Sequence, residues 1–522
     1  MMMRENQHAG ARTKNNGAGL TRRNLFQRAG FAMAAAALPA GLATAEPRAH
    51  PARATDEQSI SPVMARLSTY MSEARTRALP DEVVEATKQH VLDTLAAMVS
   101  GSELLPGRDA IKFTRAYGGE KVATVVASDV LCGPIEAALA NGMLAHSDET
   151  DDSFAPAHAH PGCSIVPAAL AAGERFGVDG TSFLRAVTLG YDVGTRVTMT
   201  LGASHFMTRG HKSTHSVAGV FGSAAAAGSV ANLSAQQMRW LLDYTAQQSS
   251  GIAAWQRDTQ HIEKAFVFAG MPARSGVTAA LLVQAGWTGI DDIFSGPDNF
   301  FLAYAPQADP AGLIERLGER YNVMGTQIKK WPVGSPIQAP LDAIEILRKR
   351  HPFEADQVAQ VRVREAAFLA SIVNNRTIPD ICLQHIIAVM LIDKTVTFHS
   401  ANDQARMKDS GVLRQRAKVT LIPDEQLQRL MPLREAIVEI TLTNGTHLTQ
   451  RVDNVRGTPA NPMTRDELAA KARDLITPVL GQTDCTKLID RVFAMEGVKD
   501  IRQLRPLLQR TALRASSPNR PV

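Results

Sequence analysis

From Ser216 to Ser234 the chain reads "SVAGVFGSAAAAGSVANLS", a helix-length run in which small side chains fall on every face. A helix of this kind has no polar stripe to turn toward water, so it must be surrounded by other helices that approach it closely. Three earlier segments share the texture: "CGPIEAALANGMLAHS" from Cys132, "SIVPAALAAGERFG" from Ser164 and "TSFLRAVTLGYDVGTRV" from Thr181. Aromatic residues make up only 5% of the chain while glycines number 37, so the interior has to be filled by close backbone approach rather than by large rings. Upstream, "SPVMARLSTYMSEARTRAL" opens with Ser61 as an N-cap and Pro62 at the first helical position. The next segment, "DEVVEATKQHVLDTLAAMVSG", sets Val84, Val91, Leu92, Leu95 and Met98 on one side and is expected to stop at Gly101 with a left-handed cap.

The pattern changes after Lys330. "QVAQVRVREAAF" alternates apolar and charged residues at the strand period. In "EAIVEITLTNGTHLTQRV", Ala436, Val438, Ile440 and Leu442 alternate inward before Asn444-Gly445, which predicts a hairpin closed by a type I′ turn. Helical periodicity returns after "RGTPANPMTRDELAAKARDLI". The expected fold class is therefore mainly α with an α+β part. A large all-helical domain, residues 61–324 and 459–513, is interrupted by a smaller α+β lid domain, residues 325–458, and a disordered tail follows at 514–522.

The first 45 residues are expected to be an export signal. "TRRNLFQ" carries paired Arg22 and Arg23, an Ala-rich apolar run extends from Ala29 to Ala43, and Ala43-Thr44-Ala45 supplies a small-x-small cleavage site. Residues 46–60 read as a linker, and the destination is the periplasm by the twin-arginine route. This segment holds six basic residues and one acidic one, so its removal takes the formal charge from +5 to about 0 and removes the case for a nucleic-acid partner. No membrane association is expected after signal removal. Cys132, Cys163, Cys382 and Cys485 are widely spaced without a C-x-x-C pair, which excludes zinc-ribbon and redox motifs but leaves disulfides open.

One stretch is chemically dense. "HSDETDDSFAPAHAHPG", from His146 to Gly162, places four carboxylates and three imidazoles within seventeen residues. Ligand spacing for an EF-hand or a zincin is absent, and His158-x-His160 alone is weak support for a metal. Turn-forming Asp, Ser and Pro allow a solvated loop. Because the stretch lies between two helices that look fully buried, crowded carboxylates are expected to raise one another's pKa and to draw neighbouring histidines into the range useful for proton transfer. Cys163, which follows the histidines, heads a buried helix and reads as a packing residue.

Six motifs in a fixed order then carry a resemblance: "ALANGMLAHSDETDDS", "HPGCSIVPAALAAGE", "RGHKSTHSVAGVFGSAAAA", "EKAFVFAGMPARSGVTAALL", "IKKWPVGSPIQAPLDAIEILR" and "ICLQHIIAVMLIDKTVTF". Over roughly residues 60 to 510 the chain resembles the 2-methylcitrate dehydratase (MmgE/PrpD) family, which also includes cis-aconitate decarboxylases and an iminodisuccinate epimerase. The resemblance implies a helical domain, an α+β lid, an active site in the cleft between them, a homodimer and no metal or other cofactor. It places Glu149 at an acidic position, Ser153 where Thr is common, His160 at the histidine of "HPG", Lys264 and Lys330 at cleft lysines, and His385 at a position that is Tyr in some members. "GHKST" stands in for "GFHPT", so His211 or Lys212 takes the histidine's place, depending on register.

Acid/base chemistry on a small polycarboxylate needs cations for the carboxylates, a base for the carbon-bound proton and an acid for the leaving group. Lys264, Lys330 and Arg274 are candidate cations. His160 and His215 are the candidate acid/base pair, with Glu149 and Asp152 orienting an imidazole. The expected function is a lyase, performing dehydration or decarboxylation; epimerisation on the same scaffold and a catalytically inactive carboxylate-binding protein are the alternatives. "DETDDS", His385 and "GHKST" point to a substrate other than 2-methylcitrate.

Overall fold

The computed structural model describes residues 60–510, so the export segment and the tail lie outside the described residues, as does all of the linker but Ile60. Ser61 caps the first helix, Pro62–Glu73, its hydroxyl accepting from the Met64 amide at 3.2 Å. The helices that build the site are α1 (Asp81–Gly101), α2 (Pro134–Ala145), α3 (Gly162–Phe176), α4 (Gly180–Thr200) and α5 (Thr214–Val230). A sixth, α6 (Met271–Gln284), continues a short turn through a π-helical segment, Phe266–Gly270. Every residue of α5 is buried, as its all-round small side chains require.

Close approach is visible at two glycines. A Cβ on Gly101 would lie 2.0 Å from the Leu144 carbonyl oxygen, and one on Gly194 would lie 2.2 Å from that of Ala218. Gly101 is thus the last residue of α1, where the backbone of the Leu144 turn presses against it, and it is not a left-handed cap. The residue that follows, Ser102, remains right-handed at φ −62°.

One apolar core gathers residues from Met64 to Ile328 and takes up Met463 to Leu508 from the end of the described chain; a second runs from Trp331 to Val455. In the second, a four-stranded sheet of order β2-β1-β3-β4 is formed by β1 (Val358–Ala366), β2 (Val419–Asp424), β3 (Ala436–Leu442) and β4 (His447–Val452). The β1 strand pairs parallel with β2 and antiparallel with β3, and β3 pairs antiparallel with β4. Val361, Val363, Val438 and Ile440 are buried in this core together with Leu341, Ile344 and Leu347 of the helix α7 (Gln338–Arg350). The molecule is mainly α with an α+β part.

The predicted hairpin is present, but its turn differs. Gly445 alone has a positive φ (86°), and Leu442 both accepts from the Gly445 amide and donates to Thr446. The connection is a three-residue turn with its glycine in the left-handed position rather than a two-residue type I′ turn. Asn444 instead accepts the Thr446 amide through its side chain at 3.0 Å.

Candidate active site

The dense stretch is no solvated loop: residues 146–154 are all buried. Burying four carboxylates requires a partner for each. Asp148 accepts from the Thr150 amide and hydroxyl, at 2.9 and 2.8 Å, and from Asn402. Glu149 accepts a short hydrogen bond from Lys264, with Lys329 Nζ 3.7 Å from its other oxygen. Asp151 lies between two imidazoles, with His146 Nδ1 at 2.9 Å and His160 Nδ1 at 3.2 Å. Asp152 accepts from His90 Nδ1 on α1 (2.7 Å), from the Tyr191 hydroxyl on α4 (2.6 Å) and from the Gly162 amide that opens α3 (3.0 Å). Lys471, from the helix Arg465–Leu480, pins this stretch from behind through Asp93 and the Thr150 carbonyl.

In front of the stretch a cavity of about 320 Å³ opens between the helical body and the α+β part. The body contributes Glu149, His158, His160, His215, His261 and Lys264, and the α+β part contributes Arg376 and Arg434. Phe268, carried on the π-helical segment, forms the floor on which the imidazoles gather. His215 stacks on it at 3.6 Å between centroids and 12° between planes, and His146 stacks on its ring at 4.7 Å. His160 is 5.2 Å from both His146 and His215. A single π turn inside a helix is a common device for re-aiming a side chain at a functional site.

The expectation that carboxylates raise one another holds at Asp148 and Asp380 but not at Glu149 and Asp151, where cations decide. Burial pushes Glu149 up, but Lys264 and Lys329 outweigh it and hold the carboxyl well below its ordinary range. Burial likewise opposes ionisation of Asp151, and His146, His160 and Lys329 reverse the effect. Asp148, without a cation, is raised by burial. The histidines move down rather than toward neutrality: burial lowers His160 to about 4 and takes His215 and His261 well below 6.5. Asp380, from the α+β part, is raised to about 8 by burial and then by the charges of Glu149 and Asp148.

Several sequence candidates meet here: His160, His215, Lys264 and Glu149 line one cavity. Ser153 sits just behind it and accepts from Arg434 at 2.9 Å. Others do not meet. Lys330 turns away to Glu345 at 2.7 Å and over the Trp331 ring, and its neighbour Lys329 enters the site instead, fully buried and bonded to the Glu149 carbonyl at 2.7 Å. Neither Glu149 nor Asp152 orients a cavity imidazole; that contact belongs to Asp151. His211 is exposed with φ 52°, and Lys212 places its ammonium over the Tyr304 ring at 4.1 Å, so neither register brings a group to the cavity. Arg274 lines a second hollow with Phe113, Tyr117 and Glu136. His385 is buried in the helix Leu383–Asp393, away from the cavity lining, and neither ring nitrogen has a hydrogen-bond partner among the described residues.

Sequence reasoning missed His146, His261, Lys329, Arg434 and Phe268. His146 lies within the quoted stretch, His261 precedes the "EKAF" motif by two residues and Lys329 adjoins the chosen lysine, so proximity was a usable signal for these three; Arg434 had none. His146, Glu149 and His261 could also hold a metal ion, with ligand atoms within 4.8 Å of one another. The ammonium groups of Lys264 and Lys329 already compensate Glu149 and oppose a further cation there. The four cysteines are buried and unpaired, Cys163 among the packing residues of α3.

A mainly helical body is joined to an α+β part, and imidazoles, Lys264, Arg376 and Arg434 gather around one partly open cavity, a set of groups suited to acid/base chemistry on an anion. The chain belongs to the MmgE/PrpD family: residues 65–312 match the model of its N-terminal domain and residues 331–495 that of its C-terminal domain. Among curated relatives, the cis-aconitate decarboxylase-like protein oryM of Aspergillus oryzae is 24% identical over 489 residues, spanning 87% of this chain and 98% of that protein. The cis-aconitate decarboxylase of Aspergillus terreus is 23% identical over 490 residues, with the same coverage of 87% and 98%. That of Homo sapiens is 26% identical over 457 residues, 83% of this chain and 91% of the human protein.

Proposed function

We propose that the protein removes CO₂ or water from a small di- or tricarboxylate by acid/base chemistry. The observation that carries this reading is the pair His160 and His215, facing a cavity shared with Lys264, Arg376 and Arg434; burial lowers the pKa of both imidazoles. The cations match substrate carboxylates. Asp151, as a carboxylate, accepts a hydrogen bond from Nδ1–H of His160 and leaves Nε2 as the basic nitrogen. In dehydration that nitrogen takes a carbon-bound proton while Lys264, as the acid, gives one to the departing hydroxyl. In decarboxylation the C–C bond electrons stay on carbon as CO₂ leaves, and the same acid protonates that carbon. The names of the relatives favour decarboxylation as the first reaction to assay.

The purified protein is incubated with cis-aconitate, citrate, 2-methylcitrate and iminodisuccinate, following CO₂ release, alkene absorbance and solvent deuterium uptake. Turnover of at least one substrate, lost in His160→Ala and Lys264→Ala, is expected. Tight binding with neither turnover nor deuterium uptake would overturn the enzymatic reading in favour of a carboxylate-binding protein.

A further inference from the structure

The cavity has two unlike walls. The polar groups of the proposed reaction occupy the body side, and Arg434 joins them through its contact with Ser153. The opposite wall is mainly apolar: Phe368, Leu369, Ile372 and Val373 come from the two-turn helix Ala367–Val373, and Met431 and Pro432 from the segment leading into β3, with Ser335, Ser371 and Arg376 as its polar members. The two pieces form one surface, since Leu369 packs with Leu427 and Met431, and the Phe368 amide donates to the Gln428 side chain at 2.8 Å. Phe368 and Ile372 are each 37% exposed although they face the cavity, and Leu430 and Leu433 beside them are 37% and 55% exposed.

A citrate-sized molecule bears carboxylates at its ends and has almost no apolar surface to set against this wall. Bound alone, it would leave those side chains in water, which is the usual mark of a binding surface awaiting its apolar partner. From these facing walls in one cavity we infer that the substrate is a di- or tricarboxylate bearing an alkyl arm of several carbons, the carboxylates against Lys264 and Arg434 and the arm against Phe368, Ile372 and Met431. This inference rests on the carboxylate reading above and extends it to a substrate class.

Its test is the affinity of the full-length protein for succinate and for methyl-, ethyl- and butylsuccinate, measured by titration calorimetry. Each added methylene is expected to strengthen binding about threefold to fourfold, so butylsuccinate, with three more methylenes, should bind roughly thirtyfold to sixtyfold more tightly than methylsuccinate. In Phe368→Ser and Ile372→Ser, both at partly exposed positions, that ratio should fall toward one while the melting temperature stays within a few degrees of the parent. Succinates that bind without regard to chain length, or a slope unchanged in both variants, would overturn the alkyl arm while leaving the carboxylate reading intact. Failure of every succinate to bind would overturn both.

Discussion

The carboxylate of Asp151 lies 3.2 Å from His160 Nδ1, and its second oxygen is 2.9 Å from His146 Nδ1. One buried acid therefore sets the orientation of two imidazoles and the tautomer of each. Removal of its charge should change chemistry more than shape. In Asp151→Asn the amide can present a hydrogen to Nδ1 and reverse the His160 tautomer. The expected kcat is about 10²–10⁴-fold lower on whichever carboxylate is turned over, with KM changed much less and the circular dichroism spectrum retained. A kcat within threefold of the parent would show that Asp151 has only a structural role.

The lowered histidines predict an unusual acid limb. A base of ordinary pKa loses activity as pH falls through about 6.5, whereas His160, held down to about 4 by burial, stays uncharged well below that point. The rate of a His160-dependent step should be flat from pH 8 to about pH 5 and fall only near pH 4. Stability follows linkage in the same window. The unfolded chain binds protons below pH 6.5 that the native state does not take up until about 4, so stability drops as pH falls between those values. Denaturant melts at pH 7.5, 6 and 5 check the sign; equal midpoints would contradict it.

Two adjacent lysines should behave oppositely. Lys329→Met strips the buried carboxylates Glu149 and Asp151 of a cation and should cost about 3–5 kcal/mol in urea unfolding. Lys330→Met breaks a partly buried pair with Glu345 and a contact with the Trp331 ring, and should cost only about 1–2 kcal/mol. A reversed order would mean that the chain enters the α+β part in a different register.

Gly101→Ala introduces a methyl group 2.0 Å from a backbone oxygen that no rotamer change can move. A loss of at least about 2 kcal/mol is expected from forced separation of α1 and α2. Gly119→Ser, where a Cβ would meet nothing within 4 Å though φ is +66°, should cost only about 1 kcal/mol and serves as the comparison.

The proposed export is tested apart from the fold. Fractionation of cells expressing the full chain should place a shortened protein in the periplasm, and Arg22→Lys with Arg23→Lys should leave it uncleaved in the cytoplasm. An uncleaved parent protein in the cytoplasm would contradict the twin-arginine reading.

The helical body was legible from local pattern because a segment such as Thr214–Val230 has no polar face and can exist only inside a bundle. The strands were legible from alternation at Val361, Val363, Val438 and Ile440. The hairpin turn was misread because Asn-Gly is compatible with two turn lengths, and only the pairing of Thr441 with His447 selects one. Lys330 was preferred to Lys329 for a similar reason: adjacent residues in an irregular segment point in different directions, and composition cannot say which one faces inward.

By itself the sequence determined the helix and strand segments, the concentration of ionisable groups between His146 and Gly162, and the presence of His160, His215, Lys264 and Glu149 among the candidates. Only the tertiary structure decided which carboxylate serves which partner, since Asp151 and Asp152 are neighbours with opposite faces. One holds His160 at the cavity, and the other holds His90 and Tyr191 deep in the body. Only the fold could decide, too, that Glu149 and Asp151 are favoured as anions and His160, His215 and His261 as neutral rings, because the charge state of a buried group depends on desolvation and on cations up to 180 residues away along the chain.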